Sequence, residues 1–479
     1  MKRGGIISFA LVCTVVGCTA VGPNYERKDP AMPAAFGSLE KGIATGESAQ
    51  RELLSSWWKI LQDPVLNSLM DRAVSGNLDL RIAQARVQQA RAFSLVSSSR
   101  LLPEGGLTGT YERVRLTEPA SVQRDRQNNL FLANFDASWE IDIFGGLRRG
   151  IEAAEADLAA SGDALRDTLV TLQGEVARNY VGYRGLQLRL DIARQTVRIR
   201  RENAEIIESR TRAGFVSELD LARAKGELAS AESKIPFLEN SLLATLHRLG
   251  ILLGLEPMSL AAELQASEEL PAIPENLPAG MPSDLLRRRP DIRRAEREVA
   301  AATARIGVST AELFPKFSLT GTFGFVSANF DTLFRDSSNF WDIGPTVRWP
   351  ILNFKRILAS IELTKAVREE TLARYERTVL LSLEEAENSL VNLSREKRRI
   401  QALTEAVRSN QLAVELATER YVAGLQTYLA VIDAQSALYT AQDDLAQSRQ
   451  NLALGFVALY KALGGGWLDV YGTEDGDSR

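Results

Sequence analysis

The stretch Leu130-Phe-Leu-Ala-Asn-Phe-Asp-Ala-Ser-Trp-Glu-Ile141 alternates apolar and polar residues strictly from Ala133 onward. Phe131, Ala133, Phe135, Ala137, Trp139 and Ile141 fall on one side; Leu132, Asn134, Asp136, Ser138 and Glu140 fall on the other. Side chains change face at every residue of a strand, so this period predicts a strand with one aromatic-rich apolar face and one polar face. A shorter strand is expected just before it, over residues 107–114. The same pattern returns twice later in the chain. Phe317, Leu319, Gly321, Phe323 and Phe325 alternate with Ser318, Thr320, Thr322 and Gly324, and Trp341, Ile343, Pro345, Val347 and Trp349 alternate with Asp342, Gly344, Thr346 and Arg348.

The return is part of an internal duplication. Arg210-Thr-Arg-Ala-Gly214 recurs as Arg420-Tyr-Val-Ala-Gly424, 210 positions on, and the same offset pairs Trp139 with Trp349, Phe144 with Phe354, and Leu253-Gly254 with Leu463-Gly464. Upstream the offset is 212: Leu102-Pro103 matches Phe314-Pro315, and Leu107-Thr-Gly-Thr110 matches Leu319-Thr-Gly-Thr322. The change of two residues falls between Tyr111 and Trp139, where a surface loop absorbs it. Each unit reads helix, strand, strand, long helix, helix. The first helix spans residues 66–100 with a break at Gly76-Asn77. The long helices span 146–212 and 355–420 and contain no proline; each reaches about 100 Å at 1.5 Å per residue. Leu158, Leu165, Leu169, Leu172 and Val176 recur at spacings of three, four and seven, a packing seam of coiled-coil type. Helices 217–253 and 427–463 return, the first with an expected kink at Pro236. Gly214 and Gly424 suit left-handed residues just past a helix end, and Ser217 and Thr427 are N-cap positions, Ser217-Glu-Leu-Asp220 having capping-box spacing.

Four strands in one chain, each with an apolar face, expose two sheet edges. A bilayer tolerates no open edge, and closed barrels start at about eight strands, so one chain cannot close a membrane barrel but several can. Strands of about 9–11 residues are long enough to cross when tilted. The other reading of the alternation is a soluble sheet covered by the helices.

At the N-terminus, Lys2 and Arg3 precede an apolar run over residues 6–16 that is too short to span, and Val15-Val16-Gly17-Cys18 follows. This has the layout of a bacterial lipobox, giving a signal peptide at 1–17 and a lipidated Cys18; an ordinary signal peptide with a chance cysteine is the alternative. The 479 residues carry 57 Lys+Arg against 61 Asp+Glu, a net charge of −4. No basic excess points to nucleic acid. The two cysteines, Cys13 and Cys18, leave no disulfide after processing, and the single His247 excludes a multi-histidine metal site. No apolar run long enough for a membrane helix lies elsewhere.

The chain resembles the outer-membrane efflux proteins of the TolC superfamily, most closely the OprM/NodT-like lipoprotein branch. The resemblance rests on Cys18-Thr-Ala-Val-Gly22-Pro-Asn-Tyr25, Trp57-Trp58 with Asp63-Pro64, Trp139-Glu-Ile-Asp142-Ile-Phe-Gly145, Arg287-Arg-Arg-Pro290-Asp291-Ile, Leu313-Phe-Pro315, and Tyr460-Lys-Ala-Leu463-Gly-Gly-Gly-Trp467. It implies a mainly α fold with a membrane β-barrel: a homotrimer whose protomers give four strands each to a shared twelve-stranded barrel, above a periplasmic α-helical barrel. The domains are then an anchor and first repeat at 18–255, a second repeat at 256–467 and a tail at 468–479. Segments 38–75, 262–283 and 454–467 would form a belt around the helical barrel. The implied function is a passive conduit for drugs and other toxic small molecules, lipid-anchored in the bacterial outer membrane. It would be fed by an inner-membrane pump, usually proton-driven, through a periplasmic adaptor protein, and would need no cofactor.

Carried over to this sequence, Leu429 would form an apolar plug at the periplasmic aperture and Asp433 an acidic ring that favours cations. A solvated helix-face carboxylate is the other reading of Asp433, and Asp220 reads as a cap residue. The adaptor would dock on the tips, at Arg210, Gly214, Ser217, Arg420, Gly424 and Thr427. Phe131, Phe135, Trp139, Phe323, Phe325, Trp341 and Trp349 would face lipid. Catalytic candidates are poor. Glu384, Glu385 and Glu387 read as solvated helix charges, Gly464-Gly-Gly466 lacks the Lys-Ser/Thr of a phosphate loop, and His247 reads as packed among Leu243, Leu246 and Leu249. The expectation is therefore no enzyme. Two rival readings are a periplasmic adaptor, which would show one hairpin flanked by β-rich halves, and a structural coiled-coil lipoprotein, which would need neither the aromatic alternation nor the duplication.

Overall fold

A computed structural model describes residues 20–27, 30–37, 54–115, 127–274 and 282–467. Cys18, the signal segment 1–17 and the tail 468–479 lie outside the described residues. Helices α1 (Pro64–Gly76) and α2 (Leu78–Ser99) precede strands β1 (Glu104–Arg115) and β2 (Gln127–Ile141), and the helices α3 (Gly146–Arg212) and α4 (Glu218–Leu252) follow. The order then repeats: α5 (Pro290–Ala311), β3 (Lys316–Ser327), β4 (Asn339–Arg348), α6 (Phe354–Val422) and α7 (Tyr428–Ala462).

The expected break at Asn77 is present. Its backbone N–H closes α1 on the Ala73 carbonyl, and its side-chain Oδ1 accepts from the Leu80 N–H at 2.9 Å to open α2. Asp63 caps α1 by accepting from the Leu66 N–H, with Pro64 in the first turn, where a missing N–H costs nothing. Pro236 lies inside α4, which runs through it without ending. The four strands form one antiparallel meander in the order β1-β2-β3-β4, so β1 and β4 are the edges. Pro345 falls on edge strand β4, where a missing N–H is tolerated. Trp349 lies one residue beyond β4 rather than within it, because Pro350 follows and the chain turns into a short 3-10 segment at Ile351–Asn353.

The chain divides into two compact units, each drawing on both repeats. The first comprises residues 1–28, 85–162 and 294–376 and holds the sheet; the second comprises 29–84, 163–293 and 377–479 and holds both hairpin tips. In the second unit Leu165, Leu169, Leu172 and Val176 of the α3 seam are all buried. There Trp57 stacks on Tyr460 at 5.6 Å with Phe456 beside both, joining the first and last of the three segments expected to form a belt. Arg166 and Arg293 lie over the Trp467 ring at 5.1 and 5.4 Å, and both pair with the buried Asp163.

Candidate functional site

Strand pairing sorts the sheet into two chemically distinct faces. Leu107, Phe135, Phe323 and Trp341 are directly aligned across all four strands, and so, one row away, are Gly106, Asp136, Thr322 and Asp342. Phe131, Phe135, Trp139, Phe323, Phe325 and Trp341 share the first face. The second face carries Asn134, Ser138, Thr320 and Thr346, and there the Thr322 hydroxyl donates to Asp136 Oδ1 at 2.8 Å. The apolar face is open: Leu107 is 86% exposed, Trp341 72% and Ile343 65%. Among the described residues, the helices of the unit that holds the sheet do not cover this face, which speaks against a helix-covered soluble sheet. Exposure of that much aromatic surface is stable only against lipid or another apolar partner.

In the second unit, the two tips are built alike. Gly214 and Gly424 adopt φ of +77° and +71°, which only glycine takes without strain. The Phe215 N–H reaches the Arg210 carbonyl at 2.9 Å, and the Leu425 N–H reaches the Arg420 carbonyl at 2.8 Å, closing each long helix with a Schellman turn. Gly254 and Gly464 close the returning helices the same way.

The N-caps differ. Ser217 Oγ accepts from the Asp220 N–H and donates to Asp220 Oδ2 at 2.8 Å, a reciprocal pair. Thr427 holds the equivalent position, but its hydroxyl makes no cap bond. Position 430 is alanine, so the side-chain bond that Ser217 makes to Asp220 has no counterpart here, and the Ala430 N–H goes to the Thr427 carbonyl.

Behind the turns, Ala204, Ile207, Ala224, Tyr428, Val431 and Ile432 form one buried cluster shared by both hairpins. Leu429 and Asp433 lie just off it on α7, both exposed and both on the same side one turn apart. Burial pushes the Tyr428 phenol up to about 12, with the phenol group of Tyr421 acting in the same direction. Arg210 lies over the Tyr421 ring at 5.5 Å, joining the two tips directly.

Three polar links join the hairpins and were not singled out from sequence. Arg200 on α3 donates to the Glu227 carbonyl at 2.8 Å, pairs with the Glu227 carboxylate, and donates to Ser436 Oγ on α7 at 3.0 Å. Asn203 donates to Gln435 at 3.2 Å. Arg189 forms a two-pronged pair with Asp443 at 2.7 and 3.0 Å and donates to Gln447. Two of the three start from an arginine on α3, one of many on that helix, and the third from Asn203, so nothing local marks them.

Several minor expectations change. Glu385 is paired with Arg289 at 2.7 Å and Glu387 accepts the Gly37 N–H at 2.6 Å, so only Glu384 stays a plain surface charge. Burial alone would lower the Arg289 guanidinium's pKa, but Asp291 and Glu385 raise it beyond the usual arginine value. His247 is half-buried rather than packed, with Nε2 3.1 Å from Met258 Sδ, because Leu243 beside it turns outward. Gly466 is pressed against the Gln173 amide, which donates to its carbonyl at 2.8 Å, so the glycine run is a packed helix end. No helix among the described residues is long and apolar enough to cross a membrane.

Known proteins share this architecture over nearly the whole chain. Nodulation protein T of Rhizobium leguminosarum bv. trifolii is 31% identical over 454 residues, covering 95% of this chain and 96% of its own length. The pyoverdine export outer membrane protein OpmQ of Pseudomonas putida is 34% identical, covering 95% and 96%. The solved outer-membrane channel OprN superimposes with a TM-score of 0.85 at 34% identity, covering 93% of this chain and 99% of that one. The family model described as outer membrane efflux protein matches residues 69–255 and 281–465, one match per repeat. The open amphipathic sheet, the paired helical tips and these matches lead to one conclusion: the chain belongs to the outer membrane efflux protein family.

Proposed function

We propose that three copies of this chain close a twelve-stranded barrel through the outer membrane, continued by an α-helical barrel in the periplasm, and that the assembly exports toxic small molecules. The observation that carries this reading is the four-stranded sheet with an exposed aromatic face and with β1 and β4 each paired on one side within the chain. Neither edge survives in lipid unless another copy pairs with it, and three copies supply enough strands to enclose a water-filled lumen lined by the polar face. The names of the relatives, which include a pyoverdine exporter and an outer-membrane channel, support export as the task.

In this reading residues 1–17 are a signal peptide, Cys18 carries the lipid anchor, residues 18–255 and 256–467 are the two repeats, and 468–479 is a tail. The conduit is passive and catalyses nothing. A proton-driven inner-membrane pump supplies the work, and its periplasmic adaptor docks at Arg210, Gly214, Ser217, Arg420, Gly424 and Thr427. Leu429 and Asp433, repeated around the axis, narrow the aperture. Opening swings the second hairpin away from the first, which breaks the Arg200–Ser436, Asn203–Gln435 and Arg189–Asp443 links. The missing Thr427 cap makes that hairpin the less braced of the two.

The test is the mass of the detergent-extracted protein together with its current in planar bilayers. A heat-sensitive trimer that passes ions is the expected outcome; a monomer without current overturns it.

A further inference from the structure

A buried arginine in the first unit has no part in the sheet or the tips. Arg149, in the first turn of α3, is only 4% exposed. Its Nε donates to the Val21 carbonyl at 3.1 Å, and Nη2 reaches the Ala20 and Gly22 carbonyls at 3.4 Å and Asn24 Oδ1 at 2.6 Å. Nη1 pairs with Glu152 at 2.7 Å. One guanidinium thus gathers four acceptors from five consecutive residues, a use for which its planar fork of donors is suited and a lysine ammonium is not.

The surrounding backbone is shaped to receive this segment. The Val21 N–H donates to the Phe144 carbonyl at 3.0 Å. Gly22, at φ +92°, lies against Gly307 so closely that a Cβ on it would stand 2.5 Å from the Gly307 Cα, and a Cβ on Gly307 would meet the Val21 carbonyl at 2.8 Å. Tyr25 closes the far end, its hydroxyl donating to Glu296 at 2.6 Å. Residues 20–25 therefore sit in a fitted groove between the start of α3 and α5.

The groove lies at one particular end of the sheet. Phe144 follows the last residue of β2 by three positions, and Trp139 and Trp349 mark the same end. Tryptophans at strand ends belong to the bilayer interface, where an amphipathic ring meets headgroups. Cys18 is two residues upstream of Ala20, so even an extended chain keeps its Cα within about 7 Å of the Ala20 Cα.

We propose that Arg149 is an anchor-positioning residue. It holds the segment next to Cys18 against the base of the sheet, so that the lipid on Cys18 and the strands of the same chain meet the bilayer at one fixed height. This rests on the reading of Cys18 as the lipid attachment site. The clamp shortens the free tether between anchor and strands to two residues, which raises the effective concentration of the strand set at the membrane.

The test compares four full-length chains in outer membranes: wild type, Arg149→Ala, Cys18→Ser and the double variant. Arg149→Ala should lower trimer yield several-fold while leaving Cys18 acylated by mass spectrometry. In the Cys18→Ser background the same substitution should add no further loss, since no lipid remains to be positioned. Equal loss in both backgrounds overturns the inference and makes Arg149 a packing residue. Asn24→Ala removes one acceptor and leaves the guanidinium in place. It should show a smaller loss with the same background dependence, which keeps the test decisive if Arg149→Ala fails to fold. A nitroxide at Val21→Cys should be immobile with Arg149 and mobile without it; immobility in both overturns the clamp. A wild-type Cys18 without acyl groups would instead sink the lipid-anchor reading, and so separates that failure from failure of the clamp.

Discussion

The Trp139 indole N–H donates to the Leu101 carbonyl at 2.8 Å, and 210 residues later Trp349 makes the same bond to the Leu313 carbonyl at 3.1 Å. Each tryptophan ties the end of its hairpin to the turn that leads into the hairpin's first strand. The duplication is therefore conserved as an interaction, although the two acceptors are 212 positions apart and the two donors 210. Replacing either tryptophan with phenylalanine keeps an aromatic side chain and removes the bond, an expected cost of about 1 kcal/mol for the bond itself. The temperature at which the oligomer dissociates in detergent should fall for both variants, with circular dichroism unchanged. An unaltered dissociation temperature for both would show that these bonds do not brace the barrel base.

Leu429 and Asp433 stand one turn apart on α7, exposed beside a buried cluster. If they narrow the aperture, Leu429→Ala and Asp433→Ala each raise single-channel conductance, and Asp433→Ala also weakens preference for cations. Arg200→Ala should raise conductance as well without touching the aperture, because it releases α7 from α3 and α4 together. Unchanged conductance in all three variants removes the gate from this end of the hairpins.

Much of this was legible because it depends on local pattern. The alternation around Trp139 fixes which side chains share a face, and glycine at 214 and 424 announces a left-handed turn whatever surrounds it. Asn77 could be read as a break because it sits beside a glycine between two helical patterns. What was not legible depends on which turns of distant helices meet. Nothing near Arg200 says that Ser436 stands opposite, and nothing near Arg149 says that residues 20–24 return to it. Thr427 shows the limit from the other side. It is the right residue at a cap position, yet its hydroxyl does not cap, and the position three residues on is Ala430 where the first hairpin has Asp220.

The tip glycines should tolerate little. A side chain forced to positive φ costs about 1–2 kcal/mol, and a bulky one also widens the turn on which an adaptor would rest. Gly424→Ala should reduce drug resistance in cells and Gly424→Val should abolish it, and the Gly214 variants should follow the same order. The amount of trimer in the membrane should stay at the wild-type level, because nothing lies within 4 Å of the Cβ direction at either glycine. A parallel loss of trimer would mean that the turns matter for folding instead of docking.

Alkaline pH should loosen the tips in a predictable direction. The Tyr428 phenol, buried where the two hairpins meet, is pushed up to about 12, against about 10 for a free tyrosine. Its neutral form is the one the packed tip accommodates, so this contribution to closure is complete below pH 10. As pH rises past 10, a released tip ionises Tyr428 while a packed tip does not, and the balance moves toward the released form until the packed phenol also ionises near 12. Channel conductance should therefore climb between pH 10 and 12. Tyr428→Phe, which cannot ionise and keeps the ring in the Ala204–Ile207–Val431 cluster, should flatten that climb while leaving conductance at pH 7 near the wild-type value. A climb of the same size in the phenylalanine variant would assign the alkaline response to another group, and a large conductance already at pH 7 would mean that the hydroxyl itself holds the hairpins together.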